Sequence, residues 1–216
     1  MDLLNTILDV IFPTKCISCK EKGVDLCLRC LCSFPEAERE SESWIFPLFD
    51  YRNPLTKKAI WLLKYKGKKR LAKIFAEAMY SRILEELGEL AQFENFLEPL
   101  LIPIPIARKR MRERGFNQAS LLCAELIKLD KNINFGLEKN ILTKPKDTKH
   151  QAQIEDRKER LKNIVGSFAV KDPEKIKKRN IILIDDITTT GATLREAKKV
   201  LKQVGARKIV AFTVAH

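Results

Sequence analysis

The stretch 181–193 constrains the fold more than any other part of the chain. Its sequence is Ile-Ile-Leu-Ile-Asp-Asp-Ile-Thr-Thr-Thr-Gly-Ala-Thr. Four consecutive β-favouring apolar residues predict a strand that is buried on both faces, as in a parallel sheet. Two carboxylates, a hydroxyl-rich turn with one glycine, and an apolar pattern of helical spacing follow. This order predicts a strand–turn–helix unit of an α/β protein.

The turn after this strand has the composition of a phosphate-binding loop. Its backbone N–H groups and the helix N-terminus can form a cradle for a phosphate dianion. The candidate phosphate ligands are Thr188, Thr189, Thr190, Gly191, Ala192 and Thr193. A ribose 5-phosphate fits, because the neutral sugar would separate the phosphate from Asp185 and Asp186, which would accept hydrogen bonds from its 2′ and 3′ hydroxyls. The absence of Gly-Lys-Ser/Thr and of Gly-x-Gly-x-x-Gly after the strand excludes a P-loop and a dinucleotide fingerprint.

The rest of the chain alternates between strand-like and helix-like patterns. Strands are predicted at 44–51, 100–106, 166–170, 181–184 and 208–214, and helices at 56–87, 117–129 and 193–204. Such alternation predicts a parallel sheet with helices on both faces, with ligands bound where the strands end. The polar, acidic residues 33–43 are interpreted as a linker.

Clustered cysteines near the N-terminus predict a metal site. Five of the six cysteines lie within residues 16–32, and four of them have the spacing C-x2-C-x7-C-x2-C. The candidate ligands are Cys16, Cys19, Cys27 and Cys30, and four thiolates around one ion indicate structural zinc. Cys32 could replace Cys30 after a slip of two residues, and redox pairs or free thiols remain alternatives. Binding the ion would fold this short segment, which has no core of its own.

The N-terminal apolar residues predict a short docking helix that ends at Pro13. Asp2 and Asp9 flank these residues, whereas a signal peptide has basic flanks and a longer apolar run. The sequence contains no window of about 18 apolar residues, so it predicts no transmembrane helix. The chain is therefore expected in the cytoplasm, where reduced thiols favour metal ligation over disulfides.

The net charge of +13 arises from two segments. Residues 51–76 contain nine Lys/Arg and no acidic residue, residues 108–114 contain five Lys/Arg and one Glu, and the remainder is balanced. Localised positive charge predicts a polyanionic ligand, while a solvated helix face is the alternative. The first segment also contains aromatic residues, which stack bases when they lie among cations. Its candidate nucleic-acid contacts are Lys64, Lys66, Lys68, Lys69 and Arg70.

The motifs resemble those of known families. Residues 181–193 resemble the 5-phosphoribosyl-1-pyrophosphate (PRPP) motif of type I phosphoribosyltransferases. A four-cysteine ribbon before such a domain resembles the ComF family of competence-associated proteins. Further similar segments are Pro103-Ile104-Pro105, Arg114-Gly115-Phe116-Asn117-Gln118, and His150-Gln151 followed by Arg157, Arg160, Asn163, Gly166 and Phe168. The resemblance extends over essentially the whole chain.

The resemblance implies an α/β type I phosphoribosyltransferase fold, at residues 44–216, after a helix and zinc ribbon at 1–34 and a linker at 35–43. It implies Mg²⁺-dependent transfer from PRPP, with Asp185 and Asp186 as catalytic residues. The loop after the strand near residue 103 is assigned to pyrophosphate, with Ala107, Arg108, Lys109 and Arg110 as its residues. The segment Lys64-Tyr65-Lys66-Gly67 is a second candidate for this role. A flexible catalytic loop is implied within 144–160, with Lys149, His150, Arg157 and Arg160 as charge donors.

Two classes of function follow from the sequence. In the first, the protein is an enzyme that transfers the phosphoribosyl group to an acceptor base or amine. In the second, the fold is a non-catalytic scaffold that binds single-stranded DNA during natural transformation. The resemblance also implies a helicase or translocase partner in a DNA-uptake complex at the inner face of the membrane. A homodimer is the commonest oligomeric state for such a fold.

Overall fold

The protein alternates strands with helices, as the sequence predicts. The computed structural model describes residues 14–38, 42–132, 134–145 and 164–216. The helices are α1 (Leu28–Leu31), α2 (Pro54–Tyr65), α3 (Arg70–Glu94), α4 (Arg108–Arg114), α5 (Gln118–Leu129) and α6 (Ala192–Gln203). The strands are β1 (Ile45–Phe49), β2 (Leu100–Pro103), β3 (Gly136–Leu137), β4 (Leu142–Thr143), β5 (Ala169–Val170), β6 (Ile181–Ile187) and β7 (Ile209–Ala215).

Five strands form one sheet in the order β1-β7-β6-β2-β3, and every neighbouring pair is parallel. Strand β6 lies at its centre, with Ile181 opposite Ile209 of β7 and opposite Leu100 of β2. A central parallel strand is covered on both faces, which explains why its first four residues are all apolar. The predicted parallel sheet is confirmed.

The side chains of β6 alternate between two hydrophobic cores. Ile182 and Ile184 lie in the core formed with α2, α3 and α5. Ile181 and Leu183 lie in the core formed with α6 and the antiparallel pair of β4 and β5. This period of two is the geometry of an extended strand. The alternation buries all four side chains completely and fixes the direction in which the strand delivers the residues that follow.

The cysteine-rich segment packs onto the first of these cores. Leu26, Leu31 and Phe34 are buried in the same cluster as the apolar residues of α2 and α3. An ion pair of 3.1 Å between Lys68 and Asp25 joins the turn after α2 to this segment. The segment is therefore held against the helices by apolar contact and by charge.

Part of the predicted linker lies along the edge of the sheet. The backbone N–H of Ala37 donates to the carbonyl of Leu48 at 3.0 Å, and Glu36 forms an antiparallel bridge with Phe49. These bonds partly cover the outer edge of β1. An edge strand covered in this way presents fewer unpaired backbone groups.

Two predicted elements differ in the structure. The single helical stretch over 56–87 is interrupted, because α2 ends at Tyr65 and α3 begins at Arg70. Gly67 at this break has a φ of +62°, a left-handed conformation that glycine adopts readily. The strand predicted over 166–170 shortens to β5 and pairs with β4 outside the parallel sheet. None of the described helices combines the length and apolar character needed to cross a membrane.

Candidate functional site

A cleft of about 630 Å³ lies at the carboxyl edge of the sheet, where β2 and β6 end. Its floor contains the end of β6 and the loop that follows. Its walls contain residues from α2, α4 and α5. In parallel α/β sheets the strand ends meet at one edge, so distant segments converge there. The cleft has the position predicted for the ligand site.

Two neighbouring carboxylates form the floor of the cleft. Asp186 is buried, and Asp185 is partly exposed. The backbone N–H of Asp186 donates to Oδ1 of Asp185 at 2.8 Å. Nζ of Lys64, near the end of α2, lies 3.0 Å from Oδ2 of Asp186. Lys64 therefore compensates one of the two negative charges, and Asp185 keeps its side chain open to the cleft.

The electrostatic environment of Asp185 favours its protonated form. Burial and, next, the charge of Asp186 raise the pKa of Asp185 from 3.8 to about 7. The hydrogen bond from the backbone of Asp186 and the cations Lys64 and Lys144 act in the opposite direction. The carboxyl group is therefore only about half ionised near neutral pH, and it becomes fully charged well above neutral pH or when a ligand brings a compensating charge or donor.

The loop from Thr188 to Thr193, predicted as a phosphate cradle, joins the end of β6 to the N-terminus of α6. The N–H of Thr188 is bonded to the carbonyl of Ala215, which anchors the loop to β7. The N–H groups of Thr189, Thr190 and Gly191 have no acceptor within the described ranges. Gly191 has a φ of +67°, and α6 begins immediately after it. Successive N–H groups beside a helix N-terminus form a site for a phosphate group.

Two buried donors at the cleft lack partners. Oγ1 of Thr188 and Nε2 of Gln118 are buried and have no hydrogen-bond partner in the described part of the chain. Both residues line the cleft. A buried polar atom without a partner destabilises the folded protein by about 1–3 kcal/mol, and such atoms are rare in native proteins. Both atoms are therefore available to a polar ligand in this cleft.

The wall of the cleft is basic. The residues predicted to bind pyrophosphate do not form a loop, because Ala107 precedes α4 and Arg108, Lys109 and Arg110 are its first residues. The predicted loop conformation is therefore wrong. In the helix, side chains point in different directions, and only Arg110 of the three cations lines the cleft.

Three residues of the wall were missed as site residues by the sequence reasoning. Nη1 of Arg114 donates to Oε1 of Gln118 at 3.0 Å, and its Nη2 donates to the hydroxyl of Tyr65 at 3.2 Å. Lys144 also lines the cleft, with its Nζ 5.1 Å from the ring centroid of Phe168. The Arg-Gly-Phe-Asn-Gln signature was the available signal for Arg114 and Gln118. Lys144 is the first residue of the segment 144–160, in which the resemblance implies the catalytic loop, but it was not among the charge donors named there.

The five cations predicted to contact nucleic acid differ in their surroundings. Lys64 lies inside the cleft in its ion pair with Asp186. Lys68 pairs with Asp25 of the cysteine-rich segment. Arg70 is the first residue of α3.

The charge donors predicted for the catalytic loop lie outside the described residues. They are Lys149, His150, Arg157 and Arg160.

Lys66 and Lys69 lie on a surface next to the cleft that we call the aromatic–basic surface. It consists of these lysines with Trp61, Tyr65 and Phe116. Nζ of Lys66 is 5.5 Å from the ring centroid of Trp61, and Nζ of Lys69 is 5.0 Å from that of Phe116. Trp61 and Tyr65 are 46% and 54% exposed. Large exposed aromatic side chains beside cations are available for contact with a planar or anionic partner.

Four thiols converge in the cysteine-rich segment. The Sγ atoms of Cys16, Cys19, Cys27 and Cys30 all lie within 4.8 Å of one another, and Cys32 is not part of this group. Sγ of Cys27 is 3.9 Å from that of Cys16 and 3.7 Å from that of Cys19. Zinc–sulfur bonds of about 2.3 Å in a tetrahedron place two sulfurs about 3.8 Å apart. The cluster therefore fits a metal ion such as zinc, with Cys30 as its fourth ligand.

Exchange of Cys30 for serine is expected to remove zinc, since three thiolates bind the ion less tightly than four. We expect about one zinc ion per chain in the wild type and in the matched control Cys32→Ser, and far less in Cys30→Ser. Elemental analysis of the purified proteins measures this content. Equal zinc loss in both variants would contradict the assignment of Cys30.

Replacement of Asp185 by asparagine is expected to stabilise the protein in a pH-dependent manner. Because the pKa of Asp185 is raised in the folded state to about 7, ionisation destabilises folding. This penalty is absent below pH 4, grows as the pH rises towards 7, and is complete above it. In urea unfolding, the free energy of unfolding of Asp185→Asn should exceed that of the wild type by about 1–3 kcal/mol at pH 8 and by much less at pH 4.5. A difference that does not change with pH, or that also occurs in the exposed control Asp172→Asn, would refute this explanation.

Comparisons with known proteins agree with the fold and with the motifs. A family model described as "Phosphoribosyl transferase domain" matches residues 115–216. "Competence protein F" of Haemophilus influenzae is 37% identical over 124 residues, which are 56% of this chain and 51% of that protein. The chain thus aligns with about half the length of this relative. "DNA utilization protein YhgH" of Shigella flexneri is 28% identical over 85% of this chain and 74% of its own.

Among solved structures, the hypoxanthine phosphoribosyl transferase of Trypanosoma cruzi is similar, with 11% identity and a TM-score of 0.41 over 66% of this chain and 63% of that chain. The sequence relatives, the matching domain model and the four-cysteine cluster agree with one another. The chain is thus similar to competence and DNA utilization proteins, and it combines an N-terminal four-cysteine cluster that could hold a metal ion with a region that matches a phosphoribosyl transferase domain.

Proposed function

We propose that this protein binds PRPP in the cleft and transfers its phosphoribosyl group to an acceptor base or amine. The observation that carries the proposal is the hydroxyl of Thr188, which has no partner among the described residues. It lies two residues after Asp186, at the start of the loop whose N–H groups likewise lack acceptors in the described ranges. A donor-rich loop directly after a carboxylate pair matches the two ends of a ribose 5-phosphate. The phosphate accepts hydrogen bonds, and the sugar hydroxyls donate them.

The two carboxylates bind the ribose in this proposal. The 2′ and 3′ hydroxyls of the ribose donate to Asp185 and Asp186. These bonds would favour the charged form of Asp185 and lower its raised pKa when the ligand binds. Lys64 remains paired with Asp186 and fixes its orientation. The sugar is thereby held with its C1 atom facing the basic wall.

The reaction requires stabilisation of the negative charge on the leaving pyrophosphate. When the bond from C1 to pyrophosphate breaks, positive charge develops on the sugar and negative charge on the leaving group. Arg110 and Lys144 line the cleft and can stabilise the negative charge. Mg²⁺ bound with PRPP would supply further positive charge, and the hard carboxylate oxygens of Asp185 fit such a cation.

The names of the relatives suggest the biological setting. They are described as competence and DNA utilization proteins. We propose that this protein acts in the cytoplasm during DNA uptake, at the inner face of the membrane with a helicase or translocase as partner, and as a homodimer. Zinc is the proposed ion of the four-cysteine cluster, where it has a structural role.

Replacement of Thr188 by valine is expected to weaken PRPP binding without destabilising the protein. The hydroxyl has no partner within the described residues, so its removal cannot break an internal bond there. Calorimetric titration of PRPP with Mg²⁺ should give an affinity lower by about tenfold. The unfolding free energy should stay equal or rise.

The matched control is Thr56→Val. The Thr56 hydroxyl is also buried and has no partner in the part of the chain that the structure describes, but it lies in α2 outside the cleft. PRPP affinity should be unchanged in this variant and abolished in the double variant Asp185→Asn/Asp186→Asn. Absence of binding to the wild type, or equal affinities of the two threonine variants, would reject the proposed site.

A second candidate function is binding of single-stranded DNA. The aromatic–basic surface favours it, because Trp61 and Tyr65 are exposed beside Lys66 and Lys69. Exposed rings can stack with bases of any sequence, and the lysines can neutralise phosphates. This surface adjoins the cleft through Arg114, whose guanidinium group lies 4.9 Å from the Tyr65 ring centroid.

Charge reversal of Lys66 and Lys69 is expected to weaken binding of single-stranded DNA. Fluorescence anisotropy with a labelled oligothymidylate measures the binding constant at several salt concentrations. The slope of the logarithm of this constant against the logarithm of the salt concentration should fall in magnitude by about 1.4 when two phosphate contacts are lost. Lys68 is left intact because it pairs with Asp25. Lys175→Glu/Lys177→Glu, before β6, is the control of equal charge change. Binding that does not depend on salt, or equal losses in both double variants, would exclude this surface.

A further inference from the structure

Two side chains hold the outer side of the phosphate loop. Nη2 of Arg195 donates to the carbonyl oxygen of Thr190 at 2.7 Å. Nε2 of His216 lies 3.0 Å from the carbonyl oxygen of Thr189. Because a carbonyl oxygen only accepts, Nε2 of His216 carries the proton in this contact. Two consecutive carbonyl groups of the loop are thus bound by side chains.

These contacts determine the direction of the N–H groups that follow. In a planar trans peptide the C=O and the next N–H point in opposite directions. The peptides here are trans. Holding the carbonyls of Thr189 and Thr190 on the outer side therefore directs the N–H groups of Thr190 and Gly191 to the opposite side. The loop residues line the cleft, whereas Arg195 and His216 do not.

Arg195 is itself fixed in place. Its Nη1 donates to Oε1 of Glu42, whose Oε2 accepts a hydrogen bond of 2.7 Å from the indole N–H of Trp44. A β-carbon on Gly191 would lie 3.2 Å from Nη1 of Arg195 and 3.3 Å from Oε1 of Glu42. The guanidinium group thus packs closely against the backbone of the loop, and its position depends on contacts from the segment before β1.

We propose that Arg195 and His216 are positioning residues that hold the N–H groups of Thr190 and Gly191 towards a bound phosphate monoester. The inference rests on the proposed phosphate site at this loop. In water, a peptide carbonyl and N–H can rotate together at low cost, and a loop without these contacts would lose part of its donor array. Preorganised donors bind an anion more tightly because the ligand does not have to order them.

The test compares ribose 5-phosphate binding by Arg195→Met, Arg195→Lys and the wild type. Methionine keeps an apolar stem but no donor, so affinity measured by calorimetry should fall by about tenfold. Lysine restores one donor and should recover most of the affinity. The matched control Lys199→Met removes an equal charge one turn further along α6, and its affinity should stay within about twofold of the wild type.

A nuclear magnetic resonance measurement separates positioning from general structural damage. The amide signals of Thr190 and Gly191 should move strongly with ribose 5-phosphate in the wild type and weakly in Arg195→Met, at unchanged melting temperature. His216→Ala should behave like Arg195→Met, and His216→Gln, which retains a donor nitrogen, should behave like the wild type. Wild-type affinity in both Arg195→Met and His216→Ala would overturn this inference but not the proposed phosphate site. Absence of binding to the wild type would overturn the proposed phosphate site and this inference with it.

Discussion

The adjacent carboxylates at the end of β6 are the constraint on which the site depends. Two negative charges at the end of a buried strand repel each other, and burial strengthens this repulsion because water screens it less. The chain compensates with cations that come from distant segments. Lys64 from α2 pairs with Asp186, and Arg110, Arg114 and Lys144 line the same cleft. The two segments that carry the excess charge of the sequence each contribute to this wall.

The cysteine-rich segment packs against the helices that deliver one of these cations. Its apolar residues lie in the same core as α2 and α3, and Asp25 holds Lys68 in the turn between these helices. Lys64 lies in the last turn of α2, only a few residues before this contact. A metal ion that orders the four thiols would thus stabilise the helix that delivers Lys64 to Asp186. The cluster and the cleft are separate sites that share one structural support.

The features predicted from sequence are those encoded by local periodicity. Strand β6, the loop after it and helix α6 follow from four apolar residues, a glycine at a left-handed turn and an amphipathic pattern. The break at Gly67 was not predicted, because residues of helical periodicity lie on both sides of it. The helical conformation of Arg108 to Arg110 was not predicted, because a polar run without apolar periodicity indicates a loop. The choice between Cys30 and Cys32, and the place of Lys144 in the cleft, depend on tertiary geometry. No spacing rule contains that information.

The two candidate functions use different cations and meet at one residue. Lys64 is bound to Asp186 inside the cleft, whereas Lys66 and Lys69 contact aromatic rings outside it. Arg114 belongs to both places, because it lines the cleft and its guanidinium group donates to the hydroxyl of Tyr65. A ligand that attracts Arg114 into the cleft would weaken its contact with Tyr65 and alter the outer surface. Binding of a sugar phosphate and of DNA would then be coupled through this side chain, with equal and reciprocal effects on the two affinities.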